Sequence, residues 1–199
     1  MKITRSSKIQ SLILAAALSI GLGFVSPVSA QATHSYILDL NGKGLTDLGT
    51  LGGRDTYATD INDAGQVVGW SNTAAGAQHA FITGPNGVGM TDLGTLGGPS
   101  STAHAINDAG QVVGVSGKAD HSQRAFITSP NGVGMTDLGT LGGNHSYAYD
   151  INEAGQVEGY TAIHAFITGA NGVGMTHLGT LGGSSSTAHA INDAGQVVG

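Results

Sequence analysis

The chain contains no cysteine and carries little charge. With no cysteine among 199 residues, disulfide bonds and thiolate metal sites are excluded. Charged residues make up only 10% of the chain, and the formal net charge is −6 at pH 7. Seven lysines and arginines against thirteen acidic residues offer no basic stripe to neutralise phosphates. We therefore expect no nucleic-acid partner.

A long apolar run occurs once, near the start of the chain. Basic residues precede the apolar segment Leu12–Val25, and small residues at Val28–Ala30 offer a cleavage site. This order predicts a signal peptide over residues 1–30, because the run is shorter than a membrane-spanning helix needs. No later segment approaches that length. We expect residues 31–199 to be exported, either secreted to the extracellular space or held at the cell surface, with no membrane span in the mature chain.

Glycine is abundant, and it recurs in two fixed phrases. The chain has 34 glycines, where average usage of about 7% would give about 14. The phrase Thr-Asp-Leu-Gly-Thr-Leu-Gly-Gly starts at Thr46 and returns at Thr91, Thr136 and Thr176, where His177 replaces the aspartate. The phrase Ile-Asn-Asp-Ala-Gly-Gln-Val-Val-Gly follows each copy. Both return after 45, 45 and 40 residues, a period that indicates a solenoid, propeller or array.

Each repeat contains two candidate β-hairpins. Short β-prone segments such as Ala80–Thr83 are followed by Pro-Asn-Gly or Ala-Asn-Gly, where asparagine and glycine tolerate positive φ. A second pair of extended segments flanks Asn107–Gly110, whose glycine suits the left-handed end of a type I turn. No window of ten or more residues after the leader shows helical periodicity. The sequence therefore predicts four short strands per repeat.

These observations predict an all-β, β-propeller-like repeat protein with four blade-like units of about four short strands each. The ring could be closed, or it could be an incomplete or open propeller. Written to begin at the Ala-Phe-Ile-Thr segments, the units span about 35–78, 79–123, 124–163 and 164–199. The last copy ends at Gly199, where its predecessors continue into Trp70, Val115 and Tyr160. We therefore expect the β-repeat domain, residues 31–199, to be truncated at its carboxyl end.

One strand position of the second phrase carries a charge in a single copy. Val112 is the same in every copy, whereas the next position is valine except at Glu158. A charge at one of two alternating positions is typical of a strand with one buried face. The pattern therefore predicts that Glu158 lies on the other, exposed face.

The repeated residues resemble the extracellular HAF repeat family, named for its His-Ala-Phe segment. His79–Phe81 and His164–Phe166 match that segment, and Arg124–Phe126 departs at its first position. Both phrases also match the family's, so the resemblance covers roughly residues 35–199. The family often has Leu-Trp after Phe, where this chain has Ile82–Thr83. The resemblance implies a secreted or surface β-repeat protein with a propeller-like fold, and it carries over no activity.

Histidines recur at two positions of the repeat. His79 is equivalent to His164, and His104 is equivalent to His189. Repeated histidines could line up on a metal or ligand. The other copies hold different residues, namely Arg124 and Ser35 at the first position and Thr59 and Tyr149 at the second. We therefore predict half-exposed strand histidines, no metal and no cofactor, and we keep His104 and His189 as candidate ligand contacts.

Aromatic and acidic positions give two further candidates. Trp70 and Tyr160 end equivalent strands and could stack on a sugar ring, although packing at a blade edge is the commoner role. The aspartates of the first phrase are expected to accept backbone N–H bonds rather than to catalyse. The segment Asp60–Asn62 has a weak likeness to a calcium loop, but turn chemistry explains it without a metal. We predict no catalytic residue.

The sequence thus predicts an exported, non-enzymatic repeat protein. It would act as a binding, adhesion or structural module, with an extracellular glycan or protein as partner. The alternative is a propeller-type hydrolase or lyase acting on an extracellular polymer, which needs non-repeated polar residues at one mouth. A structural spacer without a ligand is a third reading. The ligand and the oligomeric state stay open.

Overall fold

The computed structural model describes residues 32–39, 42 and 44–199. The predicted signal peptide over residues 1–30 lies outside them. In the part described, helical structure is confined to three single 3-10 turns, at Pro85–Gly87, Pro130–Gly132 and Ala170–Gly172. Over the same residues, no helix is long and apolar enough to cross a membrane.

The described residues form sixteen strands. They are β1 (Tyr36–Asp39), β2 (Gly44–Asp47), β3 (Gly52–Ile61), β4 (Val67–Thr73), β5 (Gln78–Thr83), β6 (Met90–Gly94), β7 (Gly97–Ile106), β8 (Val112–Lys118), β9 (Gln123–Ser129), β10 (Val133–Asp137), β11 (Ser146–Ile151), β12 (Val157–Thr161), β13 (His164–Thr168), β14 (Met175–His177), β15 (Ala190–Ile191) and β16 (Val197–Val198).

Three four-stranded antiparallel sheets follow one another along the chain. Sheet I holds β3–β6, sheet II β7–β10 and sheet III β11–β14, each with its strands in chain order. A two-stranded sheet stands at either end: the N-terminal hairpin, β1–β2, and the C-terminal hairpin, β15–β16. The all-β prediction is confirmed, and the described residues form three four-stranded antiparallel sheets where four such units were predicted.

The sheets follow a different frame from the units read in the sequence. A unit begins at the Ala-Phe-Ile-Thr strand, whereas a sheet begins at the end of Gly-Thr-Leu-Gly-Gly or just after it, so each sheet joins parts of two consecutive units. The cause is the short turn between β4 and β5, which places these strands side by side. The segment between β6 and β7 instead carries the chain to the next sheet.

The predicted turns have the expected local geometry. Gly110 has φ 74°, and its N–H donates to the Asn107 carbonyl oxygen at 2.9 Å. Asn86 has φ 56°, which agrees with the positive φ expected of Pro-Asn-Gly. A different demand applies to Gly114 in β8, where a Cβ would collide with the Thr102 carbonyl oxygen of β7. Glycine is therefore required there by the close approach of two strands.

The core lies between consecutive sheets. Val68 and Ile82 of sheet I pack with Val112 and Phe126 of sheet II in one buried cluster. Equivalent clusters join sheet II to sheet III and the N-terminal hairpin to sheet I. The three phenylalanines of the repeat, Phe81, Phe126 and Phe166, are 0% exposed. Because each interface uses a face of two neighbouring sheets, a sheet is stable only beside its neighbours.

The predicted exposure of Glu158 is wrong. Val112 and the next residue, Val113, are both 0% exposed, and Glu158 at the Val113-equivalent position is also 0% exposed. Sheets II and III are covered on both faces, so alternate positions along β8 and β12 are buried alike. The carboxyl group of Glu158 therefore lies at a buried position that valine occupies in the other copies of the repeat.

Candidate functional site

A cross-strand polar pair recurs on the second hairpin of each sheet. His79 Nδ1 lies 2.8 Å from an Asp92 carboxylate oxygen, and His34 Nδ1 lies 3.1 Å from Asp47 in the N-terminal hairpin. His34, and not Ser35, is thus the counterpart of His79, which corrects the alignment made from sequence. The two later copies differ: Lys118 and Arg124 face Asp137 at 2.9 and 3.9 Å, and the rings of His164 and His177 meet edge to face at 5.0 Å.

The aspartates of these pairs also close the following turn. Backbone N–H groups of Gly49, Gly94 and Gly139 donate to them at 2.9, 2.7 and 2.8 Å. The Gly49 bond, together with His34, lowers the pKa of Asp47 below its ordinary value. The expectation that these aspartates accept backbone hydrogen bonds is confirmed. The recurrence of aspartate at this position of the repeat is explained by its role in the turn.

Trp70 and Tyr160 belong to two aromatic pairs at equivalent places. Trp70 in β4 stacks on Tyr57 in β3, with ring centroids 4.4 Å apart. Tyr160 in β12 faces Tyr147 in β11 at 6.4 Å, and its hydroxyl donates to the Ala162 carbonyl oxygen. All four rings are half-buried. The pairs lie in sheets I and III, and Val115 takes the same position in sheet II.

His104 and His189 lie in different surroundings. His104 Nδ1 donates to the Ala148 carbonyl oxygen of sheet III at 2.6 Å, and its ring stacks on Tyr149 at 5.8 Å. Burial lowers the pKa of His104, which favours the neutral ring. Thr59 makes the equivalent bond to Ala103 at 3.0 Å. This position therefore ties one sheet to the next, whereas His189 is exposed and donates its backbone N–H to Val198 at 2.9 Å.

A ladder of asparagine side chains crosses the sheets, and the sequence reading missed it. Asn62 Nδ2 donates to the Asn107 carbonyl oxygen at 3.1 Å, Asn107 Nδ2 to Asn152 at 3.2 Å, and Asn152 Nδ2 to Asn192 at 3.0 Å. Each of these Nδ2 groups also donates to the glutamine of its own turn. The spacing of 45, 45 and 40 residues between these asparagines was the available signal, but it becomes a contact only when the sheets are stacked.

An acidic row runs beside this ladder. Backbone N–H groups of Asp63, Asp108 and Glu153 donate to the acidic side chain of the next turn, at 2.9 to 3.2 Å. Partial burial raises the pKa of Glu153, and Asp108 and Asp193 add to the shift. Asp60 uses its carboxylate for the N–H groups of Ile61 and Ile106. In the described part of the chain, no three acidic or histidine side chains form a metal-binding group.

Replacing Asn107 with alanine is expected to cost about 1–3 kcal/mol of unfolding free energy, because the buried partners Gln111 and Asn152 lose their donors. Asn107 is 2% exposed. The matched control is Asn192→Ala, in an exposed turn with the same sequence. Its cost should stay below about 1 kcal/mol. Urea denaturation followed by circular dichroism measures both, and equal losses would contradict a stabilising ladder.

A groove lies between sheet III and the C-terminal hairpin. It has a volume of about 610 Å³. We call it the terminal groove and define it by Ala165, Ile167, Leu178, Leu181, Ala188 and Val197. Glu158 pairs with Ile167 across β12 and β13, and neither of its carboxylate oxygens has a hydrogen-bond partner among the described residues.

Comparison with known proteins adds no relative to these observations. No family model matches the chain, and no curated protein shows significant similarity to it. The resemblance to HAF repeats therefore stays a prediction carried by the two repeated phrases, and function has to be inferred from the side-chain contacts.

Proposed function

We propose that this protein is an exported, propeller-type repeat protein of the HAF kind that binds an extracellular glycan or protein and does not act as an enzyme. Four-stranded antiparallel sheets that follow one another and pack face against face are the arrangement from which propellers are built. The signal-like first thirty residues support export.

The aromatic pairs carry the binding part of this proposal. Tyr57 with Trp70 and Tyr147 with Tyr160 present half-exposed rings at the same cross-strand position, two sheets apart. Rings of this kind combine an apolar face with a polar group, which suits the stacked face and hydroxyl rim of a sugar. Two equivalent platforms on one rigid scaffold suit a repetitive polymer, because both can be occupied at once.

The contacts of the polar side chains support a non-enzymatic reading. Asp47, Asp60 and Asp92 accept backbone N–H bonds, and His104 donates to a backbone carbonyl. These groups hold turns and neighbouring sheets together. A general acid or base would instead have to be placed within reach of a substrate proton.

Replacing Trp70 with alanine is expected to weaken glycan binding about tenfold, because stacking on an aromatic face is lost. Tyr160→Ala should act in the same direction. Val115→Ala is the matched control, since it alters the equivalent position in sheet II without removing a ring. Glycan and matrix-protein arrays would identify the ligand, and titration calorimetry would measure the loss. Absence of binding on both arrays, or an equal effect of Val115→Ala, would contradict the proposal.

A further inference from the structure

We propose that His164 and His177 form a surface site for a divalent transition-metal ion, at which Cu²⁺ binds most tightly. The two rings lie against each other on β13 and β14, the last two strands of sheet III. The prediction of no metal considered only histidines that recur between copies, whereas the position of His177 is histidine in one copy alone. The site shares no residue with the aromatic pairs, so it goes beyond the proposed function and does not depend on it.

The pair arises where one copy of the repeat differs from the others. His79 on β5 lies 2.8 Å from the carboxylate of Asp92 on β6. His164 and His177 occupy the same two places on β13 and β14. A second imidazole therefore replaces the carboxylate that faces the histidine in sheet I. The replacement brings two nitrogen ligands together on one surface of the sheet.

The separation of the two rings fits a shared metal ion. Their centroids are 5.0 Å apart, and their planes make an angle of 83°. A metal–nitrogen distance of about 2.1 Å places the ion about 3.2 Å from the centroid of each ring. Two rings at a tetrahedral angle then have centroids about 5.2 Å apart, and two rings at a right angle about 4.5 Å apart. The observed separation lies between these values, so little movement of either side chain is needed.

Both rings are accessible to an ion from solvent. In the described part of the chain, neither ring is hydrogen-bonded or ion-paired to another side chain. His177 is exposed and His164 is half-buried. Solvent reaches this position also where another sheet follows, because the side chains of His79 and Asp92 are 22% and 40% exposed although sheet II packs on sheet I. Water can therefore complete the coordination of the ion.

The type of ligand determines which ions this pair accepts. Imidazole nitrogen suits Cu²⁺, Ni²⁺ and Zn²⁺, whereas Mg²⁺ and Ca²⁺ take oxygen ligands. Within the first group, the affinity of a given site is highest for Cu²⁺. Two protein ligands hold an ion less tightly than the four of a structural zinc site. We therefore expect an exchangeable ion that contributes no folding energy when it is absent.

The test is a calorimetric titration of the purified protein with copper(II) chloride at neutral pH. His177→Asp gives this copy the residue of the other three, and His164→Arg gives it the residue found at Arg124, so both variants should fold. Each variant should lower the affinity for Cu²⁺ about tenfold or more, because one of the two ligands is lost. Magnesium chloride should give no heat of binding, since the pair offers no oxygen ligand.

His121→Asn is the matched control. His121 is exposed in the turn between β8 and β9, and its φ of 64° is a conformation that asparagine tolerates. This variant should leave the affinity for Cu²⁺ unchanged, and circular dichroism should be the same for all three variants. An equal loss of affinity in His121→Asn would mean that scattered surface histidines bind the ion, and it would overturn the proposal.

Nuclear magnetic resonance of the protein locates the bound ion. Because Cu²⁺ is paramagnetic, the amide signals of β13 and β14 should broaden before those of other strands. In His177→Asp these signals should stay sharp at the same concentration of Cu²⁺. The proposal is overturned if the native protein binds no Cu²⁺, or if broadening starts elsewhere while β13 and β14 are unaffected. In either case the contact between the two rings is a packing contact only.

Discussion

Replacing Glu158 with valine is expected to stabilise the protein at pH 9 by roughly 3–5 kcal/mol and to remove most of the pH dependence of its stability. Valine is the residue that other copies have at this position, so it fits the packing of the sheet. The native carboxylate is fully buried and its oxygens lack hydrogen-bond partners among the described residues. A buried charge without a partner is among the most costly groups that a core can contain.

The sign of the effect follows from the raised pKa. Burial raises the pKa of Glu158 from the ordinary 4.5 to about 8, and the negative charge of Asp150 on β11 adds to the shift. Between these values the folded chain keeps a proton that the unfolded chain has lost. The unfolding free energy therefore falls as the pH rises from about 4.5 to about 8, by about 1.4 kcal/mol per unit, and levels off above.

Urea denaturation of the native protein and of Glu158→Val between pH 4 and pH 9 would measure this difference. Glu158→Gln is the control, because it preserves the size of the side chain and cannot ionise. Glu158→Gln should make the unfolding free energy nearly independent of pH, but it should lack the additional stability that valine gains from packing. A native profile that is level from pH 5 to pH 8 would contradict a buried, protonated Glu158.

Local features of this fold could be predicted from the sequence, because a turn is encoded by adjacent residues. The Asn107–Gly110 turn and the positive φ of Asn86 are determined by asparagine and glycine at fixed places. Whether Glu158 is buried depends on a further fact, that sheet III is covered on both faces. Alternation within one strand does not contain that information.

Two other features depended on which strands pair and in which register. A periodic sequence can be divided into repeats at any position, so it does not define where a sheet begins. The pairing of β4 with β5 defines that boundary. An alignment displaced by one residue, from His34 to Ser35, moves a side chain to the opposite face of the strand. The His34–Asp47 contact settles that position. The ligand contacts proposed at Trp70 and Tyr160 have defined surroundings, and their role stays a prediction.

Replacing Phe126 with alanine is expected to lower the unfolding free energy by about 3–5 kcal/mol, since the ring is fully buried between sheets I and II. Val133→Ala is the control, because its side chain is exposed and should change stability by less than about 0.5 kcal/mol. Urea denaturation measures both. A loss below about 1 kcal/mol for Phe126→Ala would contradict a core located between the sheets.

Phe166→Ala extends the argument to cooperativity, because Phe166 joins sheet III to sheet II. In a stack stabilised by nearest neighbours, this change should let sheet III unfold first. The chain has one tryptophan, Trp70, and it lies in sheet I. In Phe166→Ala, circular dichroism should therefore lose part of its signal at urea concentrations where Trp70 fluorescence is still native. In Phe81→Ala, the change in Trp70 fluorescence should instead move to lower urea concentration. Coincident transitions in both variants would mean that the sheets unfold as one cooperative unit, and that the interfaces between them are stronger than the sheets themselves.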